Sequence, residues 1–264
     1  MGWTSGTAVR IGLGLILVIG PVVLLQSQVE LDFLTMACLS AAVAMAGYLV
    51  FARLVERRAV TELAPGSLPE VGLGVALGAG LFTVVIGSIW LAGGVAFDGW
   101  ATSPDLTYAA GVAVMAGVVE ELAVRGVVFR LLERAWGSWW ALAASAALFG
   151  ALHLMNPGAG LLTALAIALE AGVMLGAAYM VTGRLWLPIG LHAGWNFTQA
   201  GVFGVSMSGN ALGGLLDSRP QGPEWISGGA FGAEASVLAV LWCGALGVAL
   251  LMLALRRGKI APRG

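Results

Sequence analysis

Long apolar runs alternate with short polar ones along this chain, and the apolar runs have the length of membrane spans. A helical span needs about 20 mostly apolar residues. The pattern predicts eight spans, at 10–26, 32–52, 71–97, 107–130, 139–156, 160–181, 186–206 and 236–255. The first is short, and the fourth is interrupted by charges. The polar connections are brief except 53–70 and 207–235. The second of these is rich in Gly, Ser and Pro and predicts irregular or partly re-entrant backbone. There is no internal repeat and no stretch that reads as a soluble domain. The expected fold is all-α: a polytopic membrane helix bundle forming a single transmembrane domain over 1–264. The apolar run after Arg10 resembles a signal anchor. Gln26, Ser27 and Gln28 lead directly into the next apolar run, with no small-residue cleavage site, so it reads as an uncleaved first span.

Composition agrees. Hydrophobic residues make up 59% of the chain and charged residues 10%, with a mean hydropathy of +0.93. Soluble domains carry roughly 25% charged residues. A net charge of -1, with no basic cluster outside the membrane flanks, gives no hint of nucleic-acid binding, and no nucleic-acid partner is expected. Cys38 and Cys243 lie far apart in apolar runs and form neither a disulfide framework nor a CxxC metal pattern. Basic residues set the orientation. Arg125 lies within a span, which leaves twelve Lys and Arg. With eight spans, eleven of them (Arg10, Arg53, Arg57, Arg58, Arg130, Arg134, Arg184, Arg256, Arg257, Lys259 and Arg263) fall on one side, and Arg219 alone on the other. Both termini are therefore expected in the cytoplasm, in a multi-pass protein of the cell membrane.

Six ionisable side chains fall within expected spans: Glu120, Glu121, Arg125, His153, Glu170 and His192. Such groups are costly in a bilayer and by default mark function. The two histidines are the only ones in the chain. Glu121 and Arg125 are i,i+4 on one helix face and can pair. Glu120, rotated by about 100°, keeps a free carboxylate. Phe149 lies one turn before His153 on the same face, and Asn156-Pro157 ends that helix. His192 and Asn196 are likewise i,i+4. About the turn Trp136-Gly137-Ser138, Glu120 and His153 both lie roughly 25 Å along their helices, hence at one level, whereas His192 is only about 12 Å past Arg184.

One carboxylate, two imidazoles and an amide suit activation of water by Glu or His, with neutral His and Asn donating to an oxyanion. Glu120, His153 and His192 would equally make a zinc ligand set. Taken singly, the EE…R pair reads as a packing salt bridge, and each histidine as a satisfied polar group between helices. Glu170 is expected to bond a neighbouring helix or to support the site. Gly172 and Gly176 of its helix suit close packing. Trp195 is expected as an ordinary aromatic anchor rather than a cavity residue.

The motifs Glu120-Glu121-x-x-x-Arg125, Phe149-x-x-x-His153 and His192-x-x-x-Asn196, in that order, resemble the CPBP family of intramembrane proteases. That family contains type II CAAX prenyl endopeptidases and bacteriocin-processing and self-immunity proteins. The texture TGRLWLPIGLHAGWNF, and VERRAVTELAP at 55–65, extend the resemblance to about half the chain, with the motif-bearing core at about 107–206. The resemblance implies an endopeptidase site open toward the cytoplasm between helices four, five and seven. Glu120 and His153 would activate water, and His192 and Asn196 would steady the oxyanion. Glu121, Arg125 and Phe149 would support them. It implies a peptide or membrane-protein substrate and no obligatory cofactor, with a divalent metal such as zinc as the alternative. Two other functions fit less well. One is a catalytically silent scaffold or bacteriocin-immunity protein. The other is a proton-coupled transporter, for which inverted repeats are lacking.

Overall fold

The computed structural model describes residues 2–262, with side chains from residue 6 onward; Arg263 lies outside the described residues. Eight long helices are present among them. They are α1 (Gly2–Gln28), α2 (Phe33–Val50, extended by a π turn Phe51–Val55), α3 (Pro69–Leu91), α4 (106–136), α5 (Ser138–Leu152), α6 (Leu161–Thr182), α7 (186–202) and α8 (Val237–Arg256). Six of them are long and apolar enough to cross a membrane. The two that fall short by that measure are α4, with its internal charges, and the shorter α7, and these carry two of the three motifs. The chain is a polytopic helix bundle.

The third span ends earlier than its apolar run suggests. Helix α3 stops at Leu91, and Gly93 adopts a positive φ of 74°. Residues expected to remain helical to 97 instead enter β1 (Val95–Trp100), which pairs antiparallel with β2 (Leu216–Pro220). Two consecutive glycines weaken the helix enough for sheet pairing to take over. The 207–235 connection is irregular as expected, yet supplies β2 and a short helix Glu224–Ser227. Asp32 and Asp105 cap α2 and α4 by accepting from Thr35 N and Tyr108 N at 3.0 and 2.9 Å, which explains acidic residues at the starts of apolar helices.

Bonds tie the two ends of the bundle into distinct layers. At one end, Arg130 and Arg134 bind Glu56, and Arg58 binds Glu56 and Glu62. Leu185 N donates to Glu62 O at 2.9 Å, Arg184 pairs with Glu70, and Ala261 N donates to Ser138 Oγ at 2.8 Å. Burial acts to raise the Glu56 and Glu62 carboxyls, but the guanidiniums of Arg130 and Arg58 outweigh it and hold both below the usual carboxylate range. This end gathers the 53–70 loop, the turn at Gly137, the α6–α7 turn and the tail after α8. The β1–β2 hairpin and the 207–235 loop form the other end.

Helices α3 and α7 approach each other backbone to backbone. A Cβ on Gly74 or Gly78 would strike the carbonyls of Leu187 or Leu191, and one on Gly190 or Gly194 would strike those of Val71 or Val75. Each helix thus presents two glycines four residues apart to the other's backbone. Gly172 meets Ala146 of α5 in the same way, as expected, with a Cβ position 2.8 Å from the Ala146 Cα. Because α7 carries His192, this contact also fixes the site. Gly78→Ala is expected to cut membrane abundance of the protein severalfold, measured by immunoblot. Gly80→Ala on the same helix, where an added Cβ meets nothing within 4 Å, should leave it unchanged.

Candidate active site

A cavity of about 390 Å³ opens among α1, α4, α5, α6, α7 and the 207–235 loop. Glu120, Phe149, His153, His192 and Asn196 all line it. Helices α4, α5 and α7 each supply lining residues, and α1, α6 and the loop add walls that the motifs alone do not indicate.

Helix α4 positions the acids. It passes through two π segments, Ala116–Glu120 and Leu122–Phe129. Their i→i+5 bonding places more residues in each turn, a geometry frequent at functional sites. Glu120 ends the first segment, half-buried on the cavity wall. Glu121 turns inward with no exposure. Its Oε1 accepts from Arg125 Nη1 at 2.8 Å, as the i,i+4 spacing predicts. The same oxygen lies 3.0 Å from His192 Nδ1, a contact that spacing within one helix could not reveal. Glu121 therefore orients a histidine as well as holding an arginine. Its contact with His192 also shows that helical rise alone overstates the mismatch in level between α4 and α7.

Arg125 is fully enclosed. Its Nη2 donates to the carbonyls of Ala171 and Gly172 at 3.2 and 3.1 Å, both in or beside the π turn Ala168–Gly172 of α6. Its guanidinium carbon sits 4.6 Å from the centre of the Phe149 ring. Phe149 in turn touches both histidines, with ring centres 4.8 Å from His153 and 6.0 Å from His192. This phenylalanine separates the two imidazoles and covers the buried cation.

Helix α5 ends at Leu152, short of the expected 156, and His153 opens a 3₁₀ turn over His153–Met155. Its Nδ1 lies 2.8 Å from Phe149 O. A carbonyl only accepts, so Nδ1 carries the proton, and in the neutral ring Nε2 is left as a proton acceptor. Asn196 stands one turn after His192 on α7, and both are buried.

Glu170 lies on the same cavity wall, 2% exposed, with its Oε2 lacking a hydrogen-bond partner among the described residues. Trp195 lines the cavity too, its ring edge-on to Phe82 at 5.0 Å. Sequence reasoning missed a polar group from the loop. Glu234, 3% exposed, accepts from Ser208 Oγ at 2.9 Å and from Gln199 Nε2, which also reaches Ser206 O at 2.7 Å. Burial pushes the Glu234 carboxyl up, and the bonds from Gln199 and Ser208 pull it partly back. A glutamate in a Gly- and Ser-rich loop carries no signal of burial; only the fold returns it to the cavity. Among the described residues no three His, Cys, Asp or Glu side chains are gathered as metal ligands, the set Glu120, His153 and His192 included.

The polar border of the cavity lies toward one end of the bundle. Gln26 at the end of α1, Asn156 after α5, and Ser208 and Asn210 of the long loop all border it. These stand at the hairpin end of the bundle, away from the basic end. Helices α5 and α7 begin at the basic end and carry their functional residues toward the other, whereas α4 begins at the hairpin end and runs toward the basic one.

Residues 102–198 match the family model described as type II CAAX prenyl endopeptidase Rce1-like. Over that segment the chain is similar to the CPBP family. The matched segment contains all three motifs and reaches from just before α4 into α7. Neither a comparison with curated proteins nor one with solved structures gave a match. The family so matched is a protease family, which acts on peptide or protein.

Proposed function

We propose that this chain is an intramembrane endopeptidase that hydrolyses peptide bonds with water activated by Glu120 and His153. The observation that carries the reading is the common cavity lined by Glu120, His153, His192 and Asn196. Glu120, or the bare Nε2 of His153, takes a proton from water as its oxygen attacks the scissile carbonyl carbon. The carbonyl π pair moves onto oxygen, where Asn196 Nδ2 donates to it. His192 gives Nδ1–H to the Glu121 carboxylate, so its Nε2 can donate to the oxyanion only when the ring is protonated. This differs from the neutral donor that the motif alone suggests. Collapse of the tetrahedral intermediate breaks the C–N bond. The proton held by Glu120 or His153 passes to the departing amine, leaving a carboxylic acid and an amine.

Mass spectrometry of membrane peptides from cells with and without the protein tests this reading. New termini that depend on the protein support it; identical peptide sets reject it. Asn196→Ala should lower the cleavage rate by roughly 10²–10³, the usual loss for one oxyanion donor, with little change in protein level. A loss below about fivefold would remove Asn196 from the oxyanion site.

A further inference from the structure

Two observations made independently fix the side of the membrane from which this site is reached. The first is charge. Eleven of the twelve basic residues outside the spans belong to the terminal segments, the 53–70 loop and the connections α4–α5 and α6–α7. The remaining one, Arg219 on β2, is paired with Asp98 of β1 at 2.8 Å. Several of the eleven are also paired, but membrane orientation follows Lys and Arg counts rather than net charge, because acidic residues contribute little. The basic end is therefore cytoplasmic.

The second observation is where the cavity lies. Its polar rim consists of Gln26, Asn156, Ser208 and Asn210, all at the hairpin end, with Gln26 and Asn210 exposed. Toward the basic end it is sealed. Every residue of α4 from Glu121 to Arg130 is buried. Beyond the enclosed Glu121–Arg125 pair, the Gly126 carbonyl accepts from Tyr48 Oη at 3.1 Å and from Arg130 Nε at 2.8 Å. The network of Glu62, Arg58 and Glu56 then closes the bundle.

We propose that the cavity opens on the extracytoplasmic side, so that its substrates are polypeptide segments presented at the outer half of the membrane rather than cytoplasmic tails. Helix α1 adds Ile19, Val22 and Val23 to the wall, and α4 adds Val112 and Val119, so the segment accepted there is apolar beside its scissile bond. The substrate class rests on the protease reading; the sidedness does not.

Labelling with a membrane-impermeant maleimide decides the sidedness. Single cysteines are introduced by Asn210→Cys at the rim, Asp217→Cys on the exposed hairpin and Thr61→Cys at the basic end, with Cys38 replaced by Ser. Right-side-out vesicles should label positions 210 and 217 but not 61, and inverted vesicles the reverse. Labelling of 210 or 217 from the cytoplasmic face, alone or together with the outer face, overturns the proposal. Position 217 keeps the test decisive if the rim variant fails to insert. The protease reading is tested separately by comparing membrane peptides from cells carrying the wild-type protein or Glu120→Gln. Glu120-dependent cleavage in extracytoplasmic segments is the expected result, and cleavage confined to cytoplasmic tails overturns the substrate class. If outer labelling holds while no Glu120-dependent peptide appears, the protease reading falls and the sidedness stands.

Discussion

Glu120→Gln is expected to reduce cleavage by roughly 10⁴-fold, the upper end for loss of a general base, while the protein stays folded and inserted at its normal level. The substitution keeps the shape and one acceptor oxygen of the side chain but cannot take up a proton from water. No ion pair is broken, because Glu120 forms none among the described residues, whereas its neighbour Glu121 holds both Arg125 and His192. Glu120 is also only half-buried on the cavity wall, so an amide there carries little burial cost. The measurement is single-turnover cleavage of an identified substrate, with membrane abundance and thermal stability in detergent as controls. A loss of tenfold or less at normal abundance would show that Glu120 is not the base and would shift that role to His153. His153→Ala should then be the more damaging of the two.

The sequence identifies the chemistry better than the space around it. Charged residues within apolar runs stand out because hydrocarbon tolerates them poorly. Glu120, Glu121, Arg125, His153 and His192 could therefore be singled out before any fold was known. The Glu121–Arg125 pair follows from 3.6-residue periodicity. The Glu121–His192 contact does not, because it depends on how α4 and α7 pack, and that packing is set by four glycines whose role appears only when the helices are placed together. Helix ends are less legible in hydropathy than helix existence. Hydropathy extends α3 to 97, yet backbone pairing with β2 takes Val95–Trp100 out of the helix. Glu234 shows the remaining blind spot: in a loop its charge reads as solvated, and the fold buries it between Gln199 and Ser208.

Arg125→Ala should deplete the protein from the membrane rather than merely inactivate it. Arg125 and Glu121 have no exposure, and removing one partner of a buried ion pair costs about 3–5 kcal/mol because the other charge is left uncompensated. The carbonyls of Ala171 and Gly172 lose their donor as well, and the Phe149 ring loses the cation above it. A double variant separates stability from chemistry. Glu121→Gln with Arg125→Met removes both charges and retains much of their volume, so abundance should recover substantially. Activity should not recover, because His192 Nδ1 would then face an amide in place of the carboxylate that orients it. Quantitative immunoblotting of membranes reads the first effect, and cleavage per molecule of inserted protein reads the second. Normal abundance of Arg125→Ala without activity would place the arginine in the chemistry itself. Recovery of both abundance and activity in the double variant would reduce the motif's second glutamate and its arginine to packing alone.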